Sequence, residues 1–531
     1  MSKVEKSQNE TSSAVQKWEN TENEPSGTPP AYPQSCPSLE TFSCGPDSLP
    51  NEILEEIFIY VVYTPGPDET RFPEIKKGIR RIFWRLHCLM AVCSTWRNLV
   101  INLPKLWTVI PMAGIHYYLP TSEAVSLALQ RSQATSKYRV LHLVAVLSYH
   151  LNCPLAPIEH TGLPQYATIN IEVQSYSLLY PIAGLLKKVI KFQDPVFLSE
   201  LSLHHDHCQR PHGGYRFSRP QQNDYLDYQM SDEQYDKLLE LLGNVRILRL
   251  RNINIHWNTV RLTQVVHFHL QSVVLGNHDE LVEFLLMLQH APRLQTLKLI
   301  SVDALNRVTN QLYPIPEKIA LPELESLVLS DVSFNVLQVV LNSIAPGSHR
   351  TKVALTRKSG TTTYDLYHPE GDGSDEEEVQ EEVGSKELLD LLKSSNVHTV
   401  RYDVSGSKSR WVDQEHLRRM LRSLPSLKSL IMTGWRWDLG VILALKRPRS
   451  DKPFPYLTEL VIVHGGHIRD ARYLPHIAAG HSLRTLVVDG ANTLGKHEKI
   501  IQRLRGVVPD FRFDPHPEQV EELNHSTWRL W

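Results

Sequence analysis

The run His204-His205-Asp206-His207-Cys208, with His212 close behind, is the most metal-like stretch of this chain. Imidazole and thiolate are ligands that suit zinc or copper. Adjacent ligands in one short run seldom close a tetrahedral shell without partners from elsewhere, and no matching second cluster follows. The run reads as a polar loop after a strand over 198–203, and neither a metal nor another cofactor is expected. Asp372, Asp375, Glu376, Glu377, Glu378, Glu381 and Glu382 crowd a second stretch beside Gly371 and Gly373. Like charges so close repel one another and keep their water. A disordered insertion over about 358–385 is the expectation, with Ser374 a candidate acceptor for an acidophilic kinase. In Gly434-Trp435-Arg436-Trp437-Asp438, two tryptophans and an arginine are residue types enriched at binding hot spots. Trp435 and Trp437 equally suit the gaps between stacked structural units. A phosphate loop, a G-x-S-x-G elbow, an H-E-x-x-H pair and a glycine-rich dinucleotide turn are all missing from the sequence. Catalysis by this chain is not expected.

Composition narrows the partners. Lys plus Arg number 56 and Asp plus Glu 58 among 531 residues, a formal charge of −2. That balance supplies no broad field for nucleic acid or an anionic membrane. At 41% hydrophobic and 21% charged, the chain can bury a large core. Its six cysteines include no C-x-x-C pair, which argues against a disulfide scaffold or a cysteine-based zinc module. The first residues show no apolar run of the signal-peptide kind, and the apolar stretch 140–147 is short and contains His142. A cytoplasmic or nuclear protein is expected.

The elements that must position these residues fall into three parts. Residues 1–45, rich in Ser, Glu, Asn, Thr and Pro, read as a disordered tail. Order begins with Leu49-Pro50, where Asp47 or Ser48 can cap a helix whose Ile53, Leu54, Ile57, Phe58 and Val61 share a face. After a Pro- and Gly-containing loop, a second helix is expected from near Ile79 through Trp96 to Leu99. From about residue 138 the pattern apolar-x-x-apolar-x-apolar recurs. Its middle positions are 248, 273, 297, 327, 400, 430, 460, 486 and 511, most of them 24 to 30 apart, with helical stretches before many. One strand and one helix per unit, with the ladder buried by stacking, is leucine-rich-repeat architecture. The Asn expected after each strand is mostly absent, with Val302 and Val332 in its place, so the repeats are irregular. Between the ladder positions, Arg249, Arg251, Lys298, Thr399 and Arg401 form a modestly basic strip on the expected concave face. A solvated sheet face is the favoured account of the strip; as candidate substrate contacts we take Arg249, Arg251, Lys298 and Arg401, with Trp435 and Trp437.

Leu49-Pro50-Asn51-Glu52-Ile53-Leu54, Ile57-Phe58 and Val92-Cys93-Ser94-Thr95-Trp96 together resemble an F-box. The following Leu103-Pro104-Lys105-Leu106-Trp107 resembles the ending common in basidiomycete fungal F-box proteins. The resemblance covers about 46–111, and the loop from Tyr63 to about Arg81 is longer than in a typical F-box. It implies an α/β chain in which a short all-helical F-box precedes an irregular leucine-rich-repeat solenoid over 112–531. It also implies a Skp-type adaptor as partner, with Leu49, Pro50, Ile53, Leu54, Ile57, Val92 and Trp96 at that interface or packing behind it. Through the adaptor the chain would join a cullin–RING ubiquitin ligase and hold an unidentified protein substrate, chemistry being left to other subunits. A repeat scaffold outside any ligase is the alternative.

Overall fold

The computed structural model describes residues 49–64, 75–113, 122–133, 140–148, 165–174, 179–206, 220–307, 318–365, 378–404, 413–448, 453–463, 471–489 and 498–514. The chain divides into two units, Met1–Pro50 and Asn51–Trp531. The tail expected over 1–45 lies outside the described residues. Of the first unit, exposed Leu49 and Pro50 are described.

The second unit opens with three helices, α1 (Asn51–Tyr63), α2 (Ile75–Val92) and α3 (Ser94–Asn102). Leu54, Phe58 and Val62 recur every fourth residue along α1 and are its buried residues. The single helix expected from Ile79 to Leu99 is two. Cys93 is extended, with φ −157°, and its sulfur accepts from the Trp96 N–H at 3.4 Å, starting a new helix. Arg97 Nε donates to the Met90 carbonyl at 3.0 Å, and Arg85 Nη1 donates to the Val61 carbonyl at 2.8 Å. Both occupy carbonyls of a last helical turn, which has no intrahelical donors for them. The Tyr63 hydroxyl donates to the Leu106 carbonyl at 3.1 Å, tying α1 to the turn Pro104–Trp107.

The strands then run β1 (Val109–Ala113), β2 (Leu141–Ser148), β3 (Tyr166–Gln174), β4 (Glu200–Asp206), β5 (Ile247–Arg251) and β6 (His267–Gln271). They continue as β7 (Val274–Asn277), β8 (Thr296–Ile300), β9 (Asp303–Arg307), β10 (Ser326–Ser330), β11 (Arg350–Leu355) and β12 (Thr361–Asp365). Last come β13 (Glu378–Glu382), β14 (Val397–Asp403), β15 (Ser429–Thr433), β16 (Glu459–Val463), β17 (Thr485–Asp489) and β18 (Asp510–Asp514). Fourteen of these form one sheet in chain order, β1-β2-β3-β4-β5-β6-β8-β10-β11-β14-β15-β16-β17-β18. Its neighbours are parallel throughout. Strand order equal to chain order is what stacking of repeats produces.

The expected ladder pairs in register. Leu248, Phe268, Leu297, Leu327 and Thr351 are successive partners across the sheet, and after a register shift between Thr351 and Lys352 the row resumes as Val353, Val400, Leu430, Leu460, Leu486 and Phe511. One marker is corrected: Val273 lies in a turn, and Phe268 holds its place in the row. One helix per repeat is also too regular. Between β5 and β6 the chain makes only the short turn Trp257–Thr259. There the Trp257 ring fills a helix's place, 5.8 Å from Phe268 and 5.2 Å edge-on to Phe284.

A local device repeats after the strands. Asn252, Ser272, Ser301 and Asp331, each one residue past β5, β6, β8 and β10, take φ of 54, 54, 51 and 53°. Gly434 does the same after β15, at 74°. Short polar residues and glycine tolerate this left-handed conformation best. The N–H groups of Asn252, Ser272, Ser301 and Gly434 donate to the last carbonyl of a neighbouring strand, as Asn252 to Gln271 at 2.9 Å and Ser272 to Ile300 at 2.8 Å. That of Asp331 donates to the Ala354 carbonyl, one residue before the end of β11. Ile253, Val273, Val302 and Val332 follow directly and are buried. They form an apolar row in the place of the repeat asparagine.

After this turn the chain builds a second sheet, β13-β12-β9-β7. It draws in the ends of the acidic insertion expected over about 358–385. Lys358 pairs with buried Asp303 of β9, Thr361–Asp365 adds a strand, and β13 pairs with it antiparallel. Thr362 and Thr363 are buried, while Gln380, Glu381 and Glu382 are exposed on the outer strand. Charges suit such an edge, because they stay solvated and discourage further pairing. Ser374 lies outside the described residues.

Candidate functional site

Two surfaces of the second unit bring together the residues singled out in the sequence. The first is the outer side of α1. Ile53 is 48% exposed, Ile57 40% and Tyr60 69%, and Val61 is exposed as well. Val92, the last residue of α2, is 58% exposed. Leu54 instead is buried in the core with Phe58, so it packs behind this surface. Trp96 is half-buried, its ring 4.8 Å from Phe58. Leu49 and Pro50 are exposed in their own unit. Tyr60 and Val61 were not singled out beforehand as partner contacts, although they continue the Ile53–Ile57 spacing by one turn. Trp84 of α2 is exposed too.

The second surface is the helix-free face of the long sheet. The ladder residues point to the helices, so alternate residues point away from them. Arg249, His269 and Lys298 are direct register neighbours on β5, β6 and β8; the same row continues through Val328 to Lys352. Arg251 lies one step along β5, opposite His204 and Gln271. Arg249 ion-pairs with Glu200, both side chains largely buried. Burial, with Lys298, Arg249 and Arg251 nearby, drives the His269 pKa down to about 3. His267 moves in the same direction, from burial first and then Arg249, Lys298 and Arg246, against a smaller pull from Glu200. Three histidine environments on this face thus record surrounding cations, the third being His204 beside Arg251. Lys352 was missed because its strand sat inside the longest gap of the repeat series.

Arg401 is separate. It lies between Ala354 and Ile431 and bonds Asp403 at 3.3 Å. Around it the helix-free face is apolar: Val328, Ala354, Ile431, Val461, Val463 and Val487 form a buried cluster. That stretch is neither basic nor a simple solvated face. Trp435 and Trp437 are buried in the core, so their rings serve packing and are not presented to a partner.

The histidine run is also corrected. His204 and His205 belong to β4 and are buried, not a polar loop, because the strand runs on to Asp206. Burial, then Arg251 and His205, lowers the His204 pKa to about 3. His207, Cys208 and His212 lie outside the described residues. Among the described residues, no group of three or more His, Cys, Asp or Glu side chains could hold a metal ion. No helix among them is long and apolar enough to cross a membrane.

Strand order, ladder register and post-strand turn define a leucine-rich-repeat-like array behind a three-helix module. No family model matches the chain, and no curated protein matches it. Among solved structures, the leucine-rich repeat-containing protein LegL7 from Legionella pneumophila is similar at TM-score 0.33 and 13% identity, over 70% of this chain and 88% of that one. A Bacteroides fragilis protein is similar at TM-score 0.28 and 14% identity, over 65% of this chain and 76% of its own.

Proposed function

We propose that the chain is the substrate-recognition subunit of a Skp–cullin–F-box type ubiquitin ligase. Its helical module docks the adaptor, and its repeats hold the protein to be modified. The observation that carries this reading is the exposed apolar side of α1, where Ile53, Ile57, Tyr60 and Val61 stand outside a helix already packed through Leu54, Phe58 and Val62. A contiguous apolar surface on a rigid element is what a partner covers. In this reading the chain performs no chemistry of its own. It raises the effective concentration of a substrate lysine near the charged conjugating enzyme.

The test is co-expression of the full chain with a Skp-type adaptor, beside Ile53→Asp/Ile57→Asp. Recovery of the adaptor with the wild type and its loss with the folded variant support the reading. A repeat scaffold outside any ligase is the second reading, favoured if the folded wild-type chain never retains the adaptor.

A further inference from the structure

We propose that the helix-free face of β5, β6, β8, β10 and β11 grips an extended acidic segment of a protein partner, laid across the strands along the row Arg249–Lys298–Lys352. This rests on the reading of the repeats as the part that holds a protein. The positions of these five strands that point away from the helices carry Arg249, Arg251, Lys298, Arg350 and Lys352 and no acid. Glu200, on neighbouring β4, meets the row through Arg249.

The spacing chooses between ligands. Adjacent strands lie about 4.8 Å apart, so Arg249 to Lys298 and Lys298 to Lys352 each span roughly 10 Å. A single phosphate is held by cations that converge on one point, and a line of cations over about 20 Å does not converge. An extended peptide places same-side residues about 7 Å apart, so an alternating acidic stretch of seven or eight residues matches the row's length. Single-stranded nucleic acid has comparable charge spacing, but proteins that hold it add aromatic platforms for the bases. The away-facing positions of these strands hold His267 and His269 and no Phe, Tyr or Trp. The cations are half-buried or, for Arg350, exposed. A partly desolvated cation discriminates sign more sharply than one in open water.

The experiment is fluorescence anisotropy of the full chain with three labelled probes: an octapeptide alternating Glu and Ser, the same peptide with Gln for Glu, and an oligo-thymidine of eight nucleotides. The Glu peptide is expected to bind in a salt-sensitive way and the Gln peptide not to bind. Lys298→Glu/Lys352→Glu is expected to weaken the Glu peptide at least tenfold while keeping a cooperative unfolding transition. Lys298→Gln/Lys352→Gln serves in its place if the reversal misfolds, with a smaller loss in the same direction. No binding of the Glu peptide, equal binding by folded variants, equal binding of the Gln peptide, or tighter binding of the oligonucleotide each overturns the proposal. Adaptor recovery is expected to be unchanged in these variants. A failure here with the adaptor retained therefore leaves the ligase reading standing, and loss of the adaptor with peptide binding intact does the reverse.

Discussion

The rings of Phe58 and Trp96 meet with centroids 4.8 Å apart and planes inclined by 58°. This contact fixes α1 on α3 and decides which side of α1 is left outward. Leu54 shares the inner side, and Ile53 and Ile57 are outside it. Exposed and buried neighbours should then differ sharply in what their substitution costs. Ile53→Asp and Ile57→Asp are expected to move stability by no more than about 0.5 kcal/mol, as surface substitutions do. Phe58→Ala, which empties a buried aromatic site, is expected to cost about 3–5 kcal/mol. Urea unfolding of the three variants checks the division.

The left-handed turn after each strand predicts an inverted substitution rule. Ser272 has φ 54° and its N–H reaches the Ile300 carbonyl. A β-branched side chain there is expected to cost roughly 1–2 kcal/mol, and glycine to be nearly neutral. Ser272→Val and Ser272→Gly, compared in urea, test this. Equal stability of the two would contradict the turn.

The buried pair of Lys358 and Asp303 anchors the start of the second sheet. Burial raises the Asp303 pKa, an effect that Lys358 and the Ser333 hydroxyl oppose. Removing the cation leaves a buried carboxylate unpaired, which costs about 3–5 kcal/mol. Lys358→Met is expected to lower stability by that order and to speed amide exchange across Thr361–Asp365 first. Unchanged exchange there would show that β12 does not depend on the pair.

Histidines set a pH dependence. His204 and His269 are lowered to about 3, chiefly by burial, with nearby cations adding to it. A depressed basic group binds fewer protons folded than unfolded. Stability is therefore full above the unfolded value near 6.5 and falls as pH drops from there toward 3. Each contributes a slope of about 1.4 kcal/mol per pH unit in that window. Urea midpoints of the wild type and His269→Gln between pH 7 and pH 5 check the sign, the variant showing the shallower loss.

Most of the repeat was legible because its ladder is a spacing of apolar residues, and burial acts on spacing. The rows through Leu297, Leu327, Val400 and Leu430 follow the expected positions. The register at Val273 was not legible, since Phe268, Leu270, Val273 and Leu275 are all apolar and only the left-handed Ser272 separates strand from turn. β7 and β9 lack a period of their own, being short segments that start three residues after β6 and β8 end. His204 and His205 read as loop because a polar run at the end of a strand shows no alternation, although both side chains are buried. On the helical module, the sequence located α1 but not its orientation. Leu54 and Ile57 are three residues apart, and only the contact with α3 decides which is core.

The central claim is adaptor docking through the outer side of α1. The most direct measurement is size-exclusion chromatography with light scattering on the full chain mixed with a purified Skp-type adaptor, for wild type and Ile53→Asp/Ile57→Asp. The account predicts a one-to-one complex with the wild type and separate peaks with the equally folded variant. A folded wild-type chain that elutes apart from the adaptor, or a variant that binds it as well as the wild type, would contradict it.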